Sequence, residues 1–334
     1  MQMKIKRKEM PKVSIIVPIY NVEKYIEHCA RSLFEQTLLD VEYIFVDDCS
    51  SDKCMEVLEQ VIKEYPQRIH QIQIIRHEKN KGNSFTRNTG LMHARGEFIA
   101  YCDSDDWVEP NMYEKLYNMA LKEDADVVYC DINMVHKHRQ EIYKSAQWSE
   151  DKTKLIQNYI STPWTCLVLV MAKNRLYKHN KLTSPSHLSY CEDFCLAVRL
   201  MHYAKKVCYV PDALYNYNRF NETSVVHSLN KKTEREEQTA YLETIAFFEA
   251  EGVLEYYKKQ MGWRILKSKQ ELVLDVNRHD EFLKIYPESH NHIWDCPYIN
   301  KKLKIMMWCL THHLSWITYA MIYLRNFKEN FIRR

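Results

Sequence analysis

From Val13 onward the chain alternates short apolar runs with longer mixed segments. VSIIVPIY (13–20), VEYIFVD (41–47) and IHQIQIIRH (69–77) are separated by EKYIEHCARSLFEQ (23–36) and SSDKCMEVLEQVIKEY (50–65). Apolar or β-branched runs of about five to eight residues between amphipathic segments of ten or more predict parallel strands covered by helices. The rhythm continues with a helix over NSFTRNTGLMHA (83–94) ended near Gly96 and a strand over EFIAYCD (97–103). A helix over NMYEKLYNMALKE (111–123) and a strand over ADVVYCDI (125–132) follow. This is the pattern of an α/β fold, and open sheets of that kind bind ligands at the carboxyl ends of their strands.

After Asn230 the spacing changes to that of long helices. KKTEREEQTAYLETIAFFEAEG (231–252) ends at a glycine cap, Gly252, and VLEYYKKQMGWRILKSKQELVLDV (253–276) reads as the next helix. The last apolar stretch, 303–324, has the length of a membrane span, but Lys304, Thr311, His312, His313 and Ser315 interrupt it. Trp308, Trp316 and the flanking basic residues fit an interfacial amphipathic helix, with a soluble inward-packing helix as the alternative. The expected division is a basic, frayed N-terminus over 1–11, an α/β domain over 12–226 and a helical region over 227–334.

Composition narrows the chemistry. The 334 residues carry a net charge of +3, yet from Lys301 onward seven Lys/Arg stand against one acid, Glu329. A basic tail on a mildly acidic body suits an anionic surface, and its apolar setting gives no groove for nucleic acid. No secretory signal opens the sequence, and eleven scattered cysteines fit reduced thiols; a cytoplasmic protein is expected, peripheral on the membrane's cytoplasmic face if the tail binds there. The close pairs Cys49/Cys54 and Cys191/Cys195 read as packing residues. Only five glycines occur, the first at Gly82, so neither a dinucleotide fingerprint nor a phosphate-binding glycine loop follows the first strand. Any nucleotide diphosphate bound here needs its charge neutralised by other means, and a metal held by acids is the natural one.

Three expected strand ends are rich in polar groups: Pro18-Ile19-Tyr20-Asn21, Asp47 to Asp52, and Asp103-Ser104-Asp105-Asp106. Asp52 reads as a cap for the helix entered at Lys53. Capping does not account for Asp103, Asp105 and Asp106 together, because neighbouring carboxylates raise one another's pKa. An oxygen-only cation site for Mg²⁺ or Mn²⁺ removes that conflict, and acids flanking one spacer on an extended backbone address the same side.

In this setting the chain resembles family 2 glycosyltransferases of the GT-A fold. The residues that carry the resemblance are Val17 to Asn21; Val46 to Asp52; Gly82-Asn83-Ser84 through Arg87-Asn88-Thr89-Gly90 and Ala94 to Glu97; Asp103 to Asp106; and Glu192-Asp193. They span roughly Pro11 to Ser224. The resemblance implies a Rossmann-like mixed, mainly parallel sheet flanked by helices, with the helical C-terminal extension added to it. It also implies an inverting, metal-dependent transfer from a nucleotide-sugar donor, foremost a UDP-sugar, to a glycan or lipid-linked saccharide in cell-surface polysaccharide synthesis.

By the same resemblance Pro18, Tyr20 and Asn21 line the nucleoside pocket with Glu23 nearby, and Asp48 accepts from the base or ribose. Arg87 faces the base or diphosphate, Asp103 and Ser104 reach the ribose or the metal, and Asp105 is the principal ligand of Mn²⁺ or Mg²⁺. Asp193 is the base that takes the acceptor's proton, with Glu192 orienting it or the acceptor and Asp106 likewise on the acceptor side. Arg219, followed by Ser224, clamps the diphosphate, with an exposed structural arginine as the alternative. Trp164 reads as core, with an acceptor platform as its alternative. The chain departs from the family at Cys49, where a glycine usually follows the acid pair. Three other classes remain: a sugar-nucleotide nucleotidyltransferase, which wants a glycine loop after the first strand; a glycoside hydrolase, which wants no nucleotide; and a non-catalytic carbohydrate- or partner-binding protein retaining the fold.

Overall fold

A computed structural model describes residues 10–162, 165–221 and 230–332, with side chains as far as Arg325. Trp164, Ser224 and most of the basic N-terminus lie outside the described residues. The chain forms two compact units, Met1–Ser228 and Leu229–Arg334.

The first unit begins with β1 (Val13–Ile19), α1 (Ile26–Phe34), β2 (Val41–Asp47), α2 (Cys54–Glu64), β3 (Ile72–Arg76), α3 (Asn83–His93) and β4 (Phe98–Tyr101). Every residue of β1, β2 and β4 is buried, as expected of parallel strands covered on both faces. The amphipathic segments supply the covers: α1 turns Ile26, Cys29, Ala30, Leu33 and Phe34 inward. Gly90 lets α3 lie close on β1, since a Cβ there would stand 2.4 Å from Ile16 Cγ2.

The chain continues through β5 (Trp107–Val108), α4 (Met112–Glu123), β6 (Val127–Val135), β7 (Gln140–Tyr143), α5 (Lys152–Ser161), β8 (Val170–Lys173), α6 (Asn174–Asn180), α7 (Glu192–Tyr203) and β9 (Val207–Asn218). All nine strands join one sheet in the order β3-β2-β1-β4-β8-β6-β9-β5, with β7 beside β6. Pairing is parallel from β3 to β4 and between β6 and β9; β8 and β5 enter antiparallel. The two-residue β5 matters most, because it pairs Trp107 with Asn216 and Val108 with Tyr215. The end of β9 is thereby brought against the acidic loop that precedes β5.

The second unit contains α8 (Lys231–Ala250), α9 (Leu254–Ser268), α10 (His279–Lys284), α11 (Lys301–Thr311) and α12 (Ser315–Ile332). Asn230 and Thr233 form a reciprocal capping box at the start of α8. The helix expected over 253–276 stops at Ser268 and gives way to short 3₁₀ turns. There the fully buried Lys269 turns inward, and its Nζ donates to the carbonyls of Phe282 and Ile285.

The interfacial helix expected over 303–324 is two helices, broken where His313 takes a left-handed φ of 59°. Met306, Met307 and Leu310 of α11 are core, packed with Leu266 and Phe282. On α12, Thr318 and Ile322 face inward, whereas Trp316, Tyr319, Tyr323 and Leu324 are exposed. No helix among the described residues is long and apolar enough to cross a membrane.

Candidate active site

The ends of β1 and β2 are laced together by short polar side chains. Asn21, at φ 51°, accepts from Ser51 N through Oδ1 at 2.8 Å, and its own N donates to Ser50 Oγ at 3.1 Å. Glu23 N donates to Asp52 Oδ2 (2.8 Å), and Lys53 N to Glu23 Oε2 (3.2 Å). Asp52 Oδ1 accepts from Cys54 N, the first amide of α2, at 3.1 Å, so it caps as expected. Pro18 is buried opposite Val46 and Tyr20 is exposed. Cys49 holds φ 64°: the left-handed turn persists without the family's usual glycine. Its side chain is exposed, unlike that of buried Cys54, so Cys49 is not the packing residue its spacing suggests.

Asp48 is committed to the protein. Its side chain is 4% exposed and Oδ1 lies 2.7 Å from His77 Nδ1. Lys81 N and Gly82 N also donate to the carboxylate, at 2.9 and 2.8 Å. Asp48 thus seats the loop that leads into α3, and it shapes the rim instead of presenting a free carboxylate to a base.

The acidic loop is held by the end of β9. Tyr215 Oη accepts from Asp103 N (3.1 Å) and donates to Asp106 Oδ2 (2.8 Å). Asn218 N donates to Asp106 Oδ1 (2.7 Å) and Asn218 Nδ2 to the Asp105 carbonyl (3.0 Å). Asn221 Nδ2 donates to Asp105 Oδ2 at 2.7 Å. Asp106 is therefore a buried anchor beneath the loop, with both oxygens engaged, and not an acceptor-facing acid. Burial pushes its pKa well up, with Asp105 and Asp103 adding to the effect. Burial and then the charge of Asp103 also raise Asp105. Ser104 is buried between them. Tyr215, Asn218 and Asn221 were not legible as partners of the acidic loop, because it lies more than a hundred positions away; Tyr215 and Asn218 stand on β9 in the stretch that leads to Arg219, and Asn221 lies beyond the strand.

Across the rim, α7 begins with Glu192 and Asp193, after Cys191 has turned through φ 61°. Arg87 joins the two sides. Its Nη2 donates to Asp103 Oδ1 at 2.8 Å and its Nη1 to Glu192 Oε1 at 2.5 Å, with the guanidinium 4% exposed. Burial disfavours this charge, but Asp103, Glu192 and Asp193 outweigh it and raise the pKa. Arg87 accordingly faces carboxylates on both sides of the rim. Burial is the chief cause that lifts Glu192 to about 7, against the opposing pull of Arg87, and burial likewise raises Asp193. Asp193 Oδ1 accepts from Phe194 N at 2.8 Å. Arg219 is half-buried, its guanidinium 5.8 Å from the centroid of the Tyr217 ring.

The model of glycosyl transferase family 2 matches residues 14–182, which include Asp48, Arg87 and Asp103 to Asp106. The glycosyltransferase EpsH of Bacillus subtilis (strain 168), named as putative, is 33% identical over 262 residues, covering 76% of this chain and 74% of that protein. The chain belongs to glycosyl transferase family 2. A second relative of this glycosyltransferase, EpsJ of the same organism, is 30% identical over 79% of the chain and 78% of its own length. Among solved structures, S. aureus TarS 1–349 in complex with UDP-GlcNAc superposes with a TM-score of 0.69 at 19% identity, covering 95% of this chain and 92% of that one. The mannosyltransferase PcManGT of Pyrobaculum calidifontis, in complex with GDP-Man and Mn²⁺, gives 0.55 at 14% identity over 92% and 88%. The fold of the glycosyltransferase is accordingly GT-A.

No group of three or more His, Cys, Asp or Glu that would cage an ion occurs among the described residues. What the site offers is a pair of hard oxygen donors, Asp103 and Asp105, near enough for one charge to shift the other's titration. That donor set fits Mg²⁺ or Mn²⁺, which take one or two carboxylates and complete their shell with water and phosphate oxygens. A separate cavity of about 600 Å³, lined by Trp148, Lys152, Lys206 and Tyr209, lies at the start of β9, whereas the acids sit at its end.

Proposed function

We propose that this glycosyltransferase moves a sugar from a nucleotide sugar to a saccharide hydroxyl with inversion at the anomeric carbon. The observation that carries the proposal is the convergence of Asp103 and Glu192 on one guanidinium, which sets a phosphate-side acid pair against an acceptor-side acid pair. Asp193 takes the proton of the acceptor hydroxyl as that oxygen attacks the anomeric carbon. The bond to the diphosphate breaks, its electrons going to the leaving oxygen; no second carboxylate is needed as nucleophile. Glu192 orients Asp193, and Arg87 holds Glu192 in place. Asp105 and Asp103 are the residues that would hold Mn²⁺ or Mg²⁺, whose charge offsets that of the leaving diphosphate.

Pro18, Tyr20, Asn21 and Glu23 form the nucleoside side of the rim, with Ser104 beneath the donor and Arg219 for the diphosphate. Asp48 acts there by fixing the loop into α3. A uridine donor is favoured by the neighbour solved with UDP-GlcNAc, and a cell-surface glycan or lipid-linked acceptor by relatives such as the poly(ribitol-phosphate) β-glucosyltransferase of Bacillus spizizenii. The exposed face of α12 would rest on an anionic membrane surface on the cytoplasmic side.

A thermal-shift screen of UDP-, GDP-, CMP- and dTDP-sugars, with and without Mn²⁺ or Mg²⁺ and repeated on Asp105→Asn, tests the proposal. Stabilisation by one nucleotide that needs both cation and Asp105 is the expected result. No shift from any donor with the folded protein would overturn the reading.

A further inference from the structure

We propose that α3 is the element that positions the acceptor-side acids, and that Asn88 is its principal positioning residue. This rests on the transferase reading of the same site. Residues 181–191, between α6 and α7, form neither helix nor strand, yet they deliver Glu192 and Asp193 to the rim. Such a segment has no ladder of its own to fix it. Side chains of α3 reach it: Asn83, Ser84, Arg87 and Asn88 share one face at helical spacing.

Each of the four grips this segment or the acid at its end. Asn83 Nδ2 and Arg87 Nη1 donate to Glu192 Oε1 at 3.1 and 2.5 Å. Ser84 Oγ donates to the carbonyl of Leu188 at 2.6 Å. Asn88 makes the one two-point contact: Nδ2 donates to the Ser184 carbonyl at 2.8 Å, and Oδ1 accepts from Ser184 N at 2.9 Å. A side-chain amide that engages both backbone groups of one residue fixes its direction as well as its distance. Ser184 and Ser84 are both 1% exposed, so water does not compete for these bonds.

The start of α3 is also seated on the donor side. Gly82 N and Lys81 N are held by Asp48 at the end of β2, and Gly90 sets the height of the helix on β1. One rigid helix therefore references the acceptor acids to the strand ends that hold the donor. This matters because a misplacement of about 1 Å costs about 10²-fold in rate.

Hydrogen–deuterium exchange and kinetics on the full chain test this. In Asn88→Ala, exchange of residues 184–192 should quicken about tenfold or more while 98–106 stays as in the wild type. Calorimetric affinity for UDP should stay within about twofold. With the donor found by the screen, kcat for transfer should fall about 10²-fold at unchanged donor KM, while donor hydrolysis by water persists. Asn88→Asp keeps an acceptor for Ser184 N but sets a carboxylate against the Ser184 carbonyl, and should fall between. If Asn88→Ala does not fold, Ser84→Ala, which removes a single hydroxyl, should give the same pattern at smaller amplitude. Unchanged exchange over 184–192, or a donor KM that rises in step with the loss of kcat, overturns the proposal. Absence of donor turnover by the wild type would instead sink the transferase reading, and the exchange comparison would still report on α3.

Discussion

At Arg87 a single buried cation faces acids from two directions, and the titration of Glu192 follows from that position. Its pKa lies at about 7, above the ordinary value of 4.5. The folded state therefore binds this proton more tightly than the unfolded state, and its contribution to stability falls as pH rises from 4.5 through 7. Glu192→Gln should remove that fall, so the melting temperature of the variant relative to wild type should be higher at pH 8 than at pH 5. Transfer by the wild type should rise with pH as Asp193, whose pKa burial raises, gives up its proton, and Glu192→Gln should keep that limb because the base itself is unchanged. Cys49 offers a backbone test. Its left-handed φ costs about 1–2 kcal/mol in a non-glycine residue, and a β-branched side chain suits it less. Urea melts should show Cys49→Gly more stable by up to about 1 kcal/mol, the relief of φ being offset in part by the entropy of the unfolded glycine, and Cys49→Val weaker by about 1–2 kcal/mol. At this scale Asp103 and Asp105 were legible because they follow a strand, whereas Arg87, inside α3, and Glu192, in a first helical turn where the dipole alone favours an acid, were reached only through the family resemblance. The sequence did not show which way they turn: Arg87 was expected at the base or diphosphate and Asp106 at the acceptor, whereas unlike charges and the Tyr215 hydroxyl draw them inward.

Helix α3 and strand β9 carry the site between them. Gly90→Ala should be costly despite its helical setting, because the new Cβ meets Ile16 Cγ2 and the helix must lift from β1; overpacking of this kind costs about 1–3 kcal/mol. The loss should appear in the denaturation midpoint and, through the height of Arg87, in kcat. Strands and helices of the first half were legible because each has a clean period and a local cover. The β5–β9 pair was not, since two residues of β5 have no period to read and their partner lies at the end of the domain. The early stop of α9 was hidden for a related reason: Lys269 looks like a surface residue until Phe282 and Ile285 supply carbonyls for its ammonium. The stretch 303–324 shows the converse, where one apolar run is divided by a turn at His313 and only its second part keeps an exposed face.

Across the whole molecule, acids gather at the strand ends and basic residues in the tail. Trp316, Tyr319, Tyr323 and Leu324 recur at the spacing of one helical face, ahead of Arg325, and all four are exposed. Full-length protein should co-sediment with anionic vesicles, and the triple variant Trp316→Ser, Tyr323→Ser, Leu324→Ser should lose most of that binding, with neutral vesicles retaining little of either. Equal recovery of both proteins would remove the membrane proposal. Of the eleven cysteines, two are half-buried, eight are buried and Cys49 is exposed, one position from the acid that seats α3. A maleimide reagent should therefore label this enzyme first at the mouth of the proposed donor site, with the nucleotide shielding it, which makes a single native thiol a chemical handle for following donor occupancy without any engineered label.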